Sequence, residues 1–230
     1  MGLIKENVEA LLGSTYSLSN TEDDTLYESA VATVADSLPT KMLLDYAESL
    51  ELDASPTSID KKGKKILLVL WGGANGTNKV CSEIDYAGAL RMADTESIYA
   101  TNHATSESSP VYYISPNDGS GYAYLTTYPA PTDAQSAKVY YYTYPTSLDF
   151  ASDNYIADDN SANFFPPRAY QAVYLKTAEL ILNTLISDAV SDEEDPELLT
   201  LYQNNLSAVQ AAYAQEINVL NAGNPLPGAE

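Results

Sequence analysis

Positive charge is scarce in this sequence. Eleven Lys and Arg stand against 32 Asp and Glu, a net charge of −21 in 230 residues. A surface this acidic repels phosphate, which excludes a general grip on nucleic acid. Two readings of the charge remain: solubility alone, or a wall past which DNA can move without sticking. Cysteine is limited to Cys81. That excludes an intramolecular disulfide and a Cys-based structural zinc site within one chain. Histidine is limited to His103, in the polar run Asn102-His103-Ala104-Thr105. No apolar run approaches the ~20 residues of a membrane span. The start, Met1-Gly2-Leu3-Ile4-Lys5-Glu6, has no signal-peptide core.

Phe and Trp are also rare, at 3 and 1, whereas Tyr occurs 19 times. Tyrosine joins a large apolar body to a hydroxyl. It suits half-buried sheets, and equally surfaces exposed in one state and covered in another. The hydrophobic share of 45% is that of a globular protein, long enough for one large domain or two small ones.

The clearest pattern runs from Phe164 to Ala222 and predicts two long helices. Pro166 and Pro167 suit a helix start, where a missing N–H costs nothing. Tyr170, Val173, Tyr174, Thr177, Ala178, Ile181, Leu182 and Leu185 then recur at helical period. The acidic run Ser191-Asp192-Glu193-Glu194-Asp195-Pro196 interrupts the pattern. Asp195 is a suitable cap and Pro196 a suitable first residue for the next helix. Leu198, Tyr202, Leu206, Val209, Tyr213, Ile217 and Leu220 form its stripe, and Gly223, Pro225 and Pro227 end it. Two such helices with a short connection predict a hairpin that buries its stripes against other helices.

Those partners are expected at the N-terminus. Leu3 to Leu12 predicts a short helix closed by Gly13. Ser19 to Asp24 reads as a polar, acidic stretch, with a second helix from about Asp23 to Leu38 and a continuation from Thr40 to Leu50 after Pro39. Asp53 to Ile59 reads as a loop. From Ile66 the character changes. Ile66 to Trp71 predicts a buried strand, and Asn75-Gly76 a hairpin turn into Lys79 to Ile84. Tyr86 to Ala93 predicts one or two helical turns. Val111 to Ile114, Tyr122 to Thr127 and Lys138 to Tyr144 predict further strands, set off by turn residues at Pro116 to Gly119 and Pro129 to Asp133. Helices, then strands, then helices indicate an α+β chain. The expectation is a helical bundle built from residues 1–60 and 151–230, with an inserted antiparallel β-sheet or sandwich at 61–150.

Catalytic signatures are missing. No nucleophile motif accompanies His103. Gly72-Gly73-Ala74-Asn75-Gly76 lacks the Lys-Ser/Thr ending of a phosphate loop and leads into a strand. Asp192 to Asp195 lacks the spaced ligands and glycine of a calcium loop and reads as a solvated turn. Cys81, in an alternating strand, reads as a packing residue. The expectation is a protein that is not an enzyme and needs no metal or cofactor. One cluster is basic: Lys61, Lys62, Lys64 and Lys65. It fits a nucleic-acid contact, a solvated turn before a strand, or a docking patch for an acidic neighbour.

The order of segments carries a resemblance. Ser37-Leu38-Pro39-Thr40-Lys41 leads into a helix. Cys81-Ser82-Glu83-Ile84, Ala93 to Thr101, Ser109 to Ile114 and Tyr128-Pro129-Ala130-Pro131 follow. Phe164-Phe165-Pro166 and Glu193-Glu194-Asp195-Pro196-Glu197-Leu198 each precede a helix. This resembles virion structural proteins of tailed bacteriophages, those of marine phages in particular, and among them the head-to-tail connector class. The resemblance implies an adaptor or neck protein, made in the host cytoplasm and built into the virion. It implies a ring of about twelve copies below the portal, touching portal and tail or nozzle protein, with DNA passing through during ejection. In such a ring Asp192, Glu193, Glu194 and Asp195 are the candidate lumen-facing acids, and the four lysines the candidate docking patch. A β-rich recognition or tail-fibre module is the alternative that the tyrosines suggest.

Overall fold

The computed structural model describes residues 4–13, 15, 16, 18–52, 57–59, 64–72, 78–93, 109–115, 123–131, 136–145, 165–191 and 196–222. The chain is α+β and divides into two units. One joins residues 1–46 to 144–230 and holds the long helices; the other spans 47–143 and holds the sheets.

In the helical unit, α1 (Ile4–Leu12) ends at Gly13, whose φ of 71° is the left-handed conformation that glycine adopts without cost. Helix α2 (Asn20–Ser37) begins earlier than the sequence reading from Asp23. The reason is a capping box. The Ser19 hydroxyl accepts from the Glu22 N–H, and the Ser19 N–H donates to Glu22 Oε2 at 2.9 Å. Helix α3 is only Thr40–Leu44. The expected continuation to Leu50 is overturned, because Glu48–Leu52 is a strand. After Pro166 and a short 3₁₀ turn (Pro167–Ala169) come two long helices, α5 (Tyr170–Ser191) and α6 (Pro196–Ala222), numbered after the short helix α4 (Tyr86–Ala93) of the other unit.

Helix α5 packs against α6, α2 and α1. Its buried residues Ala172, Val173, Leu175, Thr177, Ala178, Ile181, Leu182 and Ala189 cover a wide arc around its axis, while Asn183, Ser187 and Val190 on the remaining side are exposed. The expected stripe is therefore too narrow: Tyr170, Tyr174 and Leu185 are only half-buried, and small Ala residues let neighbours approach closely. Helix α6 packs on α5 with the expected stripe, but only Val209 and Leu220 are fully buried along it. Asp23 on α2 is buried. Its carboxylate lies 3.5 Å from the Lys5 ammonium of α1. Burial raises the Asp23 carboxyl above the ordinary range, against the pull of Lys5.

The second unit is a sandwich of two four-stranded sheets. The first has the order β1 (Glu48–Leu52), β8 (Ser136–Thr143), β3 (Lys64–Gly72), β4 (Asn78–Val80). The second has the order β2 (Thr57–Ile59), β7 (Ala123–Tyr128), β6 (Val111–Ile114), β5 (Ser82–Glu83). All pairs are antiparallel except β5 with β6, which run parallel. Strand β1 forms because β8 offers a complete ladder, from Glu48 opposite Tyr141 to Leu52 opposite Ala137, and this non-local pairing outweighs local helical periodicity. Thr57–Ile59 likewise leaves the expected loop to pair with Ala123 to Leu125. Leu52, Val69, Trp71, Cys81, Tyr112, Leu125, Ala137 and Val139 form the core between the sheets. The short helix α4 (Tyr86–Ala93) follows β5. Asn75-Gly76 lies outside the described residues.

Two outcomes follow from this packing. Ile181→Ala on α5 is expected to lower the unfolding free energy by about 2–4 kcal/mol, and Leu206→Ala on the half-buried stripe of α6 by about 1 kcal/mol. Urea titration of the two variants checks the order. Lys5→Met leaves a buried carboxylate without its cation and is expected to cost about 1–3 kcal/mol at pH 7. Because the folded chain favours neutral Asp23, that cost fades as pH falls through the raised carboxyl pKa. Melting curves at pH 7 and pH 4 test the sign: a penalty that grew in acid would contradict it.

Candidate functional site

The two units differ sharply in charge. The helical unit holds four Lys and Arg against 21 Asp and Glu, a net −17; the sandwich holds seven against 11, a net −4. The acidity is a property of the helical unit. Its carboxylates come from residues 1–46, from 149–159, from the run Asp192 to Asp195, from two positions each on α5 and α6, and from Glu230. By contrast α6 carries Glu197 and Glu216 alone, with no cation, along 27 residues.

The tyrosines answer part of this imbalance. With carboxylates outnumbering cations about three to one, phenolic hydroxyls serve as their donors. Tyr112 donates to Glu83 at 3.0 Å, Tyr141 donates to Glu48 at 3.0 Å, and Tyr144 donates to Asp36 of α2. Each of these hydroxyls is pushed above the ordinary phenol range, first by burial and then by its carboxylate. Phenylalanine at these three positions would remove a donor from each carboxylate. Other tyrosines pair with each other. Tyr113 stacks on Tyr128, with ring centres 5.8 Å apart and planes 16° from parallel, and Tyr86 tilts against Tyr113 at the same centre distance. Together they make an aromatic patch at the β6–β7 pair.

Of the expected docking patch, Lys64 and Lys65 open strand β3. Lys64 Nζ lies 4.8 Å over the Tyr141 ring, and the Tyr141 hydroxyl and Thr143 Oγ1 both donate to Glu48. This end of the sheet thus couples a cation, an aromatic ring and a carboxylate across three strands, an arrangement that no single segment of sequence displays. Lys61 and Lys62 lie outside the described residues, as do Asp192, Glu193, Glu194, Asp195 and His103.

Cys81 is the point where the chain leaves the first sheet for the second. Its N–H donates to the Val69 carbonyl at 2.9 Å, and the next N–H, of Ser82, donates to Pro110 at 3.1 Å. Burial pushes its thiol up to about 11, away from the thiolate that catalysis or metal binding requires. Among the described residues no group of three or more His, Cys, Asp or Glu is placed to hold a metal ion. No helix among them is long and apolar enough to cross a membrane. No family model, no curated protein and no solved structure matches the chain.

The position of Cys81 gives a simple test. A disulfide reagent such as DTNB at pH 8 is expected to modify it at least ~100-fold more slowly in the folded protein than in denaturant. Rapid native labelling would mean that the sandwich opens readily at the crossover.

Proposed function

We propose that this protein is a structural component of a tailed-phage virion: a head-to-tail adaptor in the neck, assembled as a ring of copies below the portal. In this reading the terminal helices form a bundle, the inserted sandwich or the chain ends meet portal and tail proteins, and DNA passes through the ring. The chain works by assembly, without catalysis, metal or cofactor.

The single observation that carries the reading is the segregation of charge. A net −17 on the helical unit against −4 on the sandwich is not what solubility demands, since solubility needs only a modest and evenly spread charge. Acidity gathered on one unit suits a passage wall that must not adhere to phosphate. The near-neutral sandwich suits contact with other proteins, where charge repulsion would hinder docking. The order of segments described above supports the same assignment.

A second reading has its own observation. The Tyr86, Tyr113 and Tyr128 patch offers aromatic faces of the kind that recognise sugars, which suits a tail-fibre or recognition module. Glycan binding by the purified chain, lost in Tyr113→Ala, would favour it over the adaptor.

The adaptor reading is tested in the particle. Asp192, Glu193, Glu194 and Asp195 are exchanged together for Asn or Gln, keeping size and polarity. Folding and incorporation are expected to persist, because the sequence reads this run as a solvated turn and exposed charges contribute little to stability. Genome delivery is expected to slow, and to slow most at low salt, where screening is weakest. Normal delivery at low salt would remove this run from the lumen, and a particle neck without density for this protein would end the adaptor reading.

A further inference from the structure

The helical unit contains four cations. Two are engaged internally. Lys5 pairs with Asp23, and Lys176 pairs with Glu179 at 2.9 Å while lying over the Tyr213 ring. The other two, Lys41 and Arg168, have no ion pair among the described residues. They are 127 positions apart in sequence, yet both line one cleft of about 540 Å³. In a unit of net charge −17, the two cations with no ion pair among the described residues line a single concave site.

The walls of the cleft suit an extended polypeptide. Pro166 and Pro167 form a rigid side with no N–H to satisfy. Met42 contributes an adaptable apolar surface and Tyr46 a half-buried ring. Next to Tyr46, Tyr170 has a buried hydroxyl without a hydrogen-bond partner. Asp45 also lines the cleft, so an incoming carboxylate must approach on the Lys41 and Arg168 side. Arg168 offers a planar fork that matches a carboxylate, and Lys41 adds a mobile point charge.

We propose that this cleft is an acidic-peptide site, occupied by a carboxylate-bearing segment of a second copy of this chain. The choice of a second copy rests on the ring reading above and on charge complementarity. Copies of net charge −21 repel one another, so assembly requires positive sites held back from internal pairing where copies meet. Among the described residues of the helical unit, Lys41 and Arg168 are the cations without an internal ion pair. Their exposure leaves the core untouched when they are changed.

The experiment is sedimentation of the full-length protein in wild-type form, as Lys41→Gln/Arg168→Gln, and as the charge-keeping Lys41→Arg/Arg168→Lys. Circular dichroism melts verify that all three fold alike. The wild type is expected to self-associate. The neutral double variant is expected to associate at least about tenfold more weakly, and the charge-keeping variant to recover most of the loss. Hexaglutamate is expected to compete with self-association of the wild type, whereas phosphate at equal ionic strength acts only as a screening salt. Unchanged association in the neutral variant overturns the inference while the ring reading stands. A wild type that stays monomeric at every concentration overturns the ring reading, and with it the second copy as occupant. Competition by phosphate equal to that by hexaglutamate overturns the peptide assignment.

Discussion

The helical unit depends on the burial of one helix. Helix α5 touches α1, α2 and α6, and its fully buried residues cover a wide arc of its surface. It thereby holds together segments of chain separated by the whole sandwich. Burying its Val, Leu and Ile side chains contributes about 1.5–3 kcal/mol each before entropy is subtracted. The alanines between them allow three helices to approach at once. Neither α1, with nine residues, nor α6, with only two fully buried residues, has the apolar area to stand alone.

The second constraint is electrostatic. A chain with about three carboxylates for each cation has too few cations to pair with every acid. Tyrosine hydroxyls take that role at Glu83, Glu48 and Asp36, and a capping box takes it at Glu22. The scarce cations are then assigned unevenly. Lys5 pairs with the buried Asp23, Lys64 and Lys138 lie over tyrosine rings, and Lys41 and Arg168 line a cleft. The distribution of these few cations carries more functional information than the abundant acids do.

The candidate site was only partly legible. The acidic run at 192–195 and the lysine cluster at 61–65 stand out as strings, because runs of like charge need no folding to be seen. What Lys64 does was not legible: its partners Tyr141 and Glu48 come from strands distant in sequence. Lys41 and Arg168 each look unremarkable alone, and only packing brings them to one cleft. The excess of tyrosine was visible, but which tyrosines meet carboxylates was not.

The sequence by itself determined the α+β class, the helices α1, α5 and α6, and the strands β3, β6, β7 and β8. Those elements carry strong local patterns, and periodicity and punctuation act over a few residues. It also determined the solitary Cys81 and the acidic balance. Tertiary structure alone decided that Glu48–Leu52 is a strand, since the partner that fixes it is β8, some ninety residues on. It decided the parallel pairing of β5 with β6 and the crossover at Cys81. It decided as well how wide the buried face of α5 is. The physical reason is common to all three: each depends on surfaces and hydrogen-bond partners that meet only after the chain has folded, and no window of sequence contains both halves of such a contact.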